Sequence, residues 1–182
     1  MKKINKGFTL VELLVVMAIL GVLVTLIGTS FRSAQLRGRD AQRKSDLKQI
    51  ATALELFFND YGFYPLADGE GKIMACPYEK GVGGVPCRWA TGKFVDIFPT
   101  TATERTIYFK KLPDDPVIGY DYYYRLPDGG NNKKFQLFAK LENSQDQDCL
   151  GGDCLNSPVD YQCGNVTCNF SLTSSNTSFD EN

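Results

Sequence analysis

Histidine is absent from the 182 residues. That removes the usual general base near neutral pH and the commonest ligand of catalytic metals, which weighs against most hydrolases and metalloenzymes. Net charge is nearly absent too, with 20 Lys and Arg against 21 Asp and Glu, so bulk charge provides no hold on nucleic acid or a membrane surface. No proline occurs before Pro65, and no charged side chain lies between Leu13 and Phe31. Lys and Arg are missing after Leu141, where Asp146, Asp148, Asp153, Asp160 and Asp180 accumulate. Nucleotide and hydrolase motifs are also lacking. Gly71-Lys72 has neither the earlier glycine nor the following hydroxyl of a phosphate loop, no GxSxG occurs, and no nucleophile–base pair stands out.

What is present begins with a short leader, residues 1–7, basic at Lys2, Lys3 and Lys6 and ending on Gly7. The uncharged run that follows, coiled as helix, spans close to the roughly 30 Å of bilayer hydrocarbon. We therefore assign residues 8–31 to a membrane-spanning half-helix. Beyond Arg32 the apolar residues Leu47, Ile50, Ala51, Leu54, Phe58 and Tyr61 recur at steps of three and four, which predicts an amphipathic half over 32–61. Gly62 and Pro65 stop it. With no proline inside, Phe8 to Tyr61 reads as one helix whose second half must bury its stripe on something.

Alternation supplies the partner. Tyr120, Tyr122, Tyr124 and Leu126 alternate with Asp121, Tyr123 and Arg125, and after a Gly/Asn turn Phe135, Leu137, Ala139 and Leu141 alternate again, predicting two antiparallel strands. Leu66 to Pro116 reads as a long structured connection. The fold class is α+β: a long N-terminal helix on a small antiparallel sheet, with a head over 62–172, a cysteine-stapled C-terminal part and a frayed tail over 173–182. The basic residues Arg32, Arg37, Arg39, Arg43, Lys44 and Lys48 read as the solvated or filament-facing side of the helix. Asp40, Asp46 and Glu55 are their expected partners at helical spacing, and contact with phosphates is the alternative.

Glu12 is the anomaly. A carboxylate at the centre of the hydrocarbon costs roughly 2.5–3.5 kcal/mol, so an acid in such a segment needs a partner or a water-exposed position at the bilayer edge. Gly7-Phe8-Thr9-Leu10-Val11-Glu12, with a basic leader before and an apolar helix after, resembles the N-terminus of type IV prepilins and type II secretion pseudopilins. The similarity continues through Asp46-Leu47-Lys48-Gln49-Ile50, Asn59 to Pro65, Leu112-Pro113-Asp114-Asp115-Pro116 and the Tyr120–Tyr124 strand, as in the major pseudopilin. The resemblance implies cleavage between Gly7 and Phe8 by a prepilin peptidase and methylation of the new Phe8 amine. It also implies an ion pair in the filament between that amine and Glu12 of a neighbouring subunit. The implied partners are further copies of the chain, the peptidase, and an assembly platform with its ATPase. The implied place is the inner membrane with an exported head, and afterwards an extracytoplasmic filament. The late helix proline that many members carry is missing here, and Gly28, Thr29 and Ser30 stand near its place.

An even number of cysteines, 6, in an exported domain predicts disulfides. Cys149 with Cys154 and Cys163 with Cys168 enclose tight loops, which favours neighbour pairing, with Cys76 and Cys87 as the third pair; a thiolate zinc site is the rival. Asp146, Asp148 and Asp153 stand around Gly151-Gly152 where the resemblance puts a calcium loop. The EF-hand pattern does not fit, and a plain acidic loop is the alternative. Two other readings of the whole chain are a secretory signal cleaved after Gly28-Thr29-Ser30 and a single-pass anchored enzyme or binding domain. Asn165, Asn169 and Asn176 begin N-x-S/T sequons, which decide nothing by themselves.

Overall fold

The computed structural model describes residues 7–77, 84–98, 106–127 and 131–181, and residues 25–30 as helical backbone only. The leader lysines Lys2, Lys3 and Lys6, turn residues 128–130 and the side chains of Gly28, Thr29 and Ser30 lie outside the described residues. The chain divides into two units, residues 1–38 and 39–182.

Helix α1, Leu10–Tyr61, has 52 residues. It starts two residues later than the apolar pattern suggested, because Thr9 takes the capping position. It ends at Gly62, whose φ of 72° suits a left-handed C-terminal cap and whose N–H donates to Phe58 O at 2.6 Å. Among the described residues no helix is long and apolar enough to cross a membrane.

Among the described residues nine short strands follow. They are β1 (Cys76–Pro77), β2 (Gly84–Val85), β3 (Phe94–Val95), β4 (Ile107–Phe109), β5 (Tyr123–Arg125), β6 (Gln136–Ala139), β7 (Gln162–Cys163), β8 (Val166–Thr167) and β9 (Phe170–Thr173). The two strands expected from alternation are β5 and β6, antiparallel with Tyr124 opposite Leu137. A third strand, β9, adds to the other edge of β6 with Leu172 opposite Leu137. The connection over 66–116 carries two small antiparallel pairs, β1–β2 and β3–β4. Its Gly71, no phosphate loop, has φ 78°, and a Cβ there would sit 2.2 Å from the Tyr123 ring. Only glycine allows that approach.

The helical stripe is as expected but turned slightly. Leu47, Ile50, Ala53, Leu54 and Phe57 are buried, while Ala51, Phe58 and Tyr61 are half-buried. Phe57 is drawn inward by rings from the connection, with Phe94 and Tyr108 at centroid distances of 5.6 and 5.3 Å. The core is completed by Ile73, Leu112, Tyr122, Tyr124, Leu137 and Ala139. The other face of the sheet builds a second cluster around Phe138, Leu150 and the Cys163–Cys168 disulfide, with Tyr123 and Tyr161 packed on it. The tail expected to fray is ordered over 173–181. Ser174 is buried and its N–H donates to Phe135 O at 3.1 Å, and Lys134 pairs with Glu181.

Polar contacts fix the second half of α1 to the sheet. The Arg43 side chain has no exposure, and its Nε and Nη2 each lie 2.7 Å from Asp115 in a two-pronged pair, while Nη1 reaches Asp40 at 2.8 Å and Glu142 at 2.9 Å. Arg39 Nε lies 2.6 Å from the same Glu142. Asp40 in turn accepts the N–H groups of Glu142 and Asn143 at 2.9 and 2.8 Å. The basic residues are therefore not simply a solvated helix face. Arg32, Arg37 and Lys48 are exposed, but Arg39, Arg43 and Lys44 are held by acids of the head. Of the expected helical partners only Asp40 pairs with a base. Asp46 accepts from the Tyr122 hydroxyl at 2.8 Å, and Glu55 from the Tyr64 hydroxyl at 2.9 Å.

Replacing Arg43 by Met leaves Asp40 and Asp115 buried with their charges unpaired. The loss expected from breaking such a network is about 3–5 kcal/mol, a fall in Tm of about 10 °C or more. A thermal melt of the full chain in detergent measures it, and a fall of under about 2 °C would mean that water already reaches these carboxylates.

The network also sets a pH dependence. The hydrogen bond from Arg39 is the largest influence on the Glu142 carboxyl and, together with that from Arg43, holds it below its ordinary range although burial works to raise it. A lowered folded-state pKa gives stability that is complete above the unfolded value and is lost as pH falls through the folded one. Asp46, raised by burial despite its tyrosine hydrogen bond, works in the opposite sense. The measurement is therefore a difference: between pH 7 and pH 3, Tm should fall less for Glu142→Gln than for the unmodified chain.

Candidate assembly site

The first residues of α1 form a reciprocal cap. The Thr9 hydroxyl donates to Glu12 Oε2 at 2.8 Å, the Thr9 N–H reaches the same oxygen at 3.2 Å, and the Glu12 N–H donates back to Thr9 Oγ1 at 3.2 Å. This is a capping box, which satisfies donors that a helix N-terminus otherwise leaves open. An acid in the first turn is also favoured by the helix dipole. The Thr-x-x-Glu spacing spells this motif and gives Glu12 a partner within its own chain. Phe8 and Glu12 are one turn apart, yet Thr9 is the residue that holds the carboxylate within the chain.

Every residue from Gly7 to Val24 is exposed. Phe8 and Leu10 are each 78% exposed, and Val11, Leu13, Leu14, Met17, Ile19, Val22 and Val24 all exceed half. Soluble monomers rarely show a contiguous apolar surface of this extent, and its presence marks a membrane or protein contact. Gly7 and Phe8 lie just ahead of the helix in irregular backbone, and both are exposed.

The cysteines pair as neighbours: Cys76–Cys87, Cys149–Cys154 and Cys163–Cys168. The first ties β1 to the segment after β2, and the last closes the β7–β8 turn. The middle pair closes the acidic loop around the short 3-10 turn Leu150–Gly152. In that loop Asp146 and Asp148 converge on Lys44 of α1, with Nζ 2.8 Å from both Asp146 oxygens and 2.7 Å from Asp148 Oδ2. Burial works to raise the Asp146 carboxyl, but Lys44 and the Asp148 N–H outweigh it and hold it below its ordinary range. Asp153 stands apart, accepting from Leu155 N and Asn156 Nδ2, each at 2.8 Å. Among the described residues no three metal-ligating side chains gather around one point, so the three aspartates do not fit a calcium centre as arranged here. Of the sequon asparagines, Asn169 is fully buried and cannot be modified in the folded chain, while Asn165 and Asn176 are exposed.

Comparison with known proteins gives these features a common origin. Residues 2–28 match the family model described as the prokaryotic N-terminal methylation motif. Type II secretion system core protein G of Pseudomonas aeruginosa is 30% identical over 136 residues, 74% of this chain and 82% of that protein. The same protein of Vibrio cholerae is 29% identical over 142 residues, 76% of this chain and 85% of the relative. The type IV major pilin of Myxococcus xanthus is 38% identical over 77 residues, but these are 42% of this chain and 34% of the pilin. No solved structure matches. With a methylation motif at its start and similarity that runs through most of both chains, this protein belongs to the family of type II secretion core protein G, among the proteins with prepilin-type N-termini.

Proposed function

We propose that this chain is a structural subunit of a type II secretion pseudopilus or a closely related type IV filament. It is a building block rather than a catalyst. The observation that carries the reading is the exposed apolar first part of α1 directly behind Gly7-Phe8-Thr9-Leu10-Val11-Glu12. Such a surface needs lipid before assembly and other subunits after it. The pseudopilus is favoured over the pilus because similarity to core protein G extends over 82% of that relative, against 34% of the Myxococcus pilin.

In this reading the peptidase cuts between Gly7 and Phe8 and methylates the Phe8 amine. Residues 8–31 hold the subunit in the inner membrane with the head outside, until the assembly platform and its ATPase extract it into the filament. Contacts between successive copies are head-to-tail and do not close, which gives a helical polymer. Within it the Phe8 amine of one subunit meets Glu12 of the next, so each new subunit neutralises a charge that is costly in a medium of low dielectric.

Mass measurement and N-terminal sequencing of the chain from producing cells should give a methylated start at Phe8; a start at Met1 or Phe31 would remove the reading. Glu12→Gln separates two roles of this residue. Glutamine also completes a capping box, so the helix start is preserved and only the charge is lost. Filament yield should fall about tenfold or more, as expected for losing a charge-assisted bond worth about 1.5–3 kcal/mol. Undiminished filaments from this variant would leave Glu12 as a cap and nothing else.

A further inference from the structure

We infer that the acidic loop after β6 is closed by an internal cation, the Lys44 ammonium, in the place where the family resemblance puts calcium, and that the head of this protein folds without that metal. The ammonium has three N–H donors, and three carboxylate oxygens, both of Asp146 and Oδ2 of Asp148, lie 2.7–2.8 Å from it. Its hydrogen bonding is complete. Calcium takes six to eight oxygens at about 2.3–2.6 Å, and a divalent ion could reach these carboxylates only by expelling a positive charge already in contact with them. A third carboxylate is not at hand, because Asp153 is committed to Leu155 and Asn156 in a turn of its own.

Lys44 is not a casual occupant. Its neighbour Arg43 is locked into the head by Asp115, and the core residue Leu47 lies one turn further along the same helix, so the stem is held where its tip meets the loop. The Phe170 ring of β9 lies 5.6 Å from the ammonium. The other work of a structural metal, holding the loop ends together, is done covalently and by one buried amide. Cys149 and Cys154 are bonded. Asn169, with no exposure, accepts from Leu141 N at 2.6 Å and donates to Leu141 O and Cys154 O at 3.1 and 2.8 Å. The loop is thus tied to α1 by Lys44, to itself by the disulfide, and to Leu141 just after β6 by the amide.

The arrangement has a reciprocal consequence. Removing the ammonium leaves two adjacent carboxylates, one of them largely buried, with an unoccupied space between them. Lys44→Met keeps the apolar stem and should convert a calcium-blind loop into a calcium-responsive one.

The test is the thermal melt of the full chain in detergent micelles under non-reducing conditions, in EGTA or in calcium chloride, with sodium chloride matching the ionic strength. About 10 mM calcium exceeds the dissociation constants of even weak extracellular sites. The unmodified chain should melt within about 1 °C in the two conditions. Lys44→Met should melt lower in EGTA and recover by about 3 °C or more in calcium, as a ligand that binds only the folded form requires. A calcium-dependent rise for the unmodified chain overturns the inference and needs no variant to be seen. So does a Lys44→Met chain that melts with the unmodified one in EGTA, or one that is destabilised and ignores calcium.

Discussion

A guanidinium shut away from water is tolerable only where carboxylates and hydrogen bonds replace its hydration shell, and Arg43 meets that condition with acids from three parts of the chain. Asp40 comes from its own helix, Asp115 from the Leu112–Pro116 strap, and Glu142 from the segment after β6. No alternative seating of residues 39–61 on the sheet serves all three at once. Sliding the helix by one residue would turn Arg43 through about 100° and leave Asp115 buried without a counter-charge. Apolar packing of Leu47, Ile50, Leu54 and Phe57 supplies the bulk of the attraction, but a greasy stripe tolerates slippage, and the buried charges do not. The ion network sets the register that the core then fills.

Lys44 and Arg39 extend the same principle outward. Three basic residues within six positions of one helix take hold of four acids that lie between residues 115 and 148. Three carboxylates of the C-terminal part, Glu142, Asp146 and Asp148, in a stretch with no Lys or Arg after Leu141, are thereby matched by cations contributed by the helix. The separation of charge along the sequence, basic after the apolar run and acidic toward the end, is how one chain is divided between the two sides of a single contact.

Local pattern revealed what local physics decides. The helix could be read from its steps of three and four, and its end from Gly62 and Pro65. Strands β5 and β6 were legible because Tyr122, Tyr124, Leu137 and Ala139 keep the two-residue period of a half-buried sheet. What escaped depends on partners far apart in the chain. Strand β9 carries Phe170 and Leu172 in a polar, cysteine-punctuated stretch too short to announce itself. Phe57 outranks Phe58 because Phe94 and Tyr108 lie on its side. Apart from Asp40, the ion partners of Arg43 and Lys44 are 72 to 104 positions away, and a spacing rule for one helix surface cannot reach that far. The capping box is a different kind of miss. Thr9 and Glu12 stand at the motif's spacing, but an acid at the start of an apolar run fits a long-range partner equally well.

The cap changes the energetics of the proposed assembly step. A bare carboxylate at the start of a lipid-seated helix would carry its full desolvation cost until a neighbour arrived, and would tend to take up a proton instead. Two Thr9 donors on one Glu12 oxygen replace part of the hydration that the carboxylate would lose, and so reduce that cost before any neighbour arrives. The second oxygen, which the cap leaves uncommitted, remains an acceptor for an incoming amine. In the proposed filament the same residue would be held locally before assembly and would gain from a neighbour's charge afterwards. An acid placed anywhere deeper in the helix, with its backbone donors already used by the preceding turn, could do only the second.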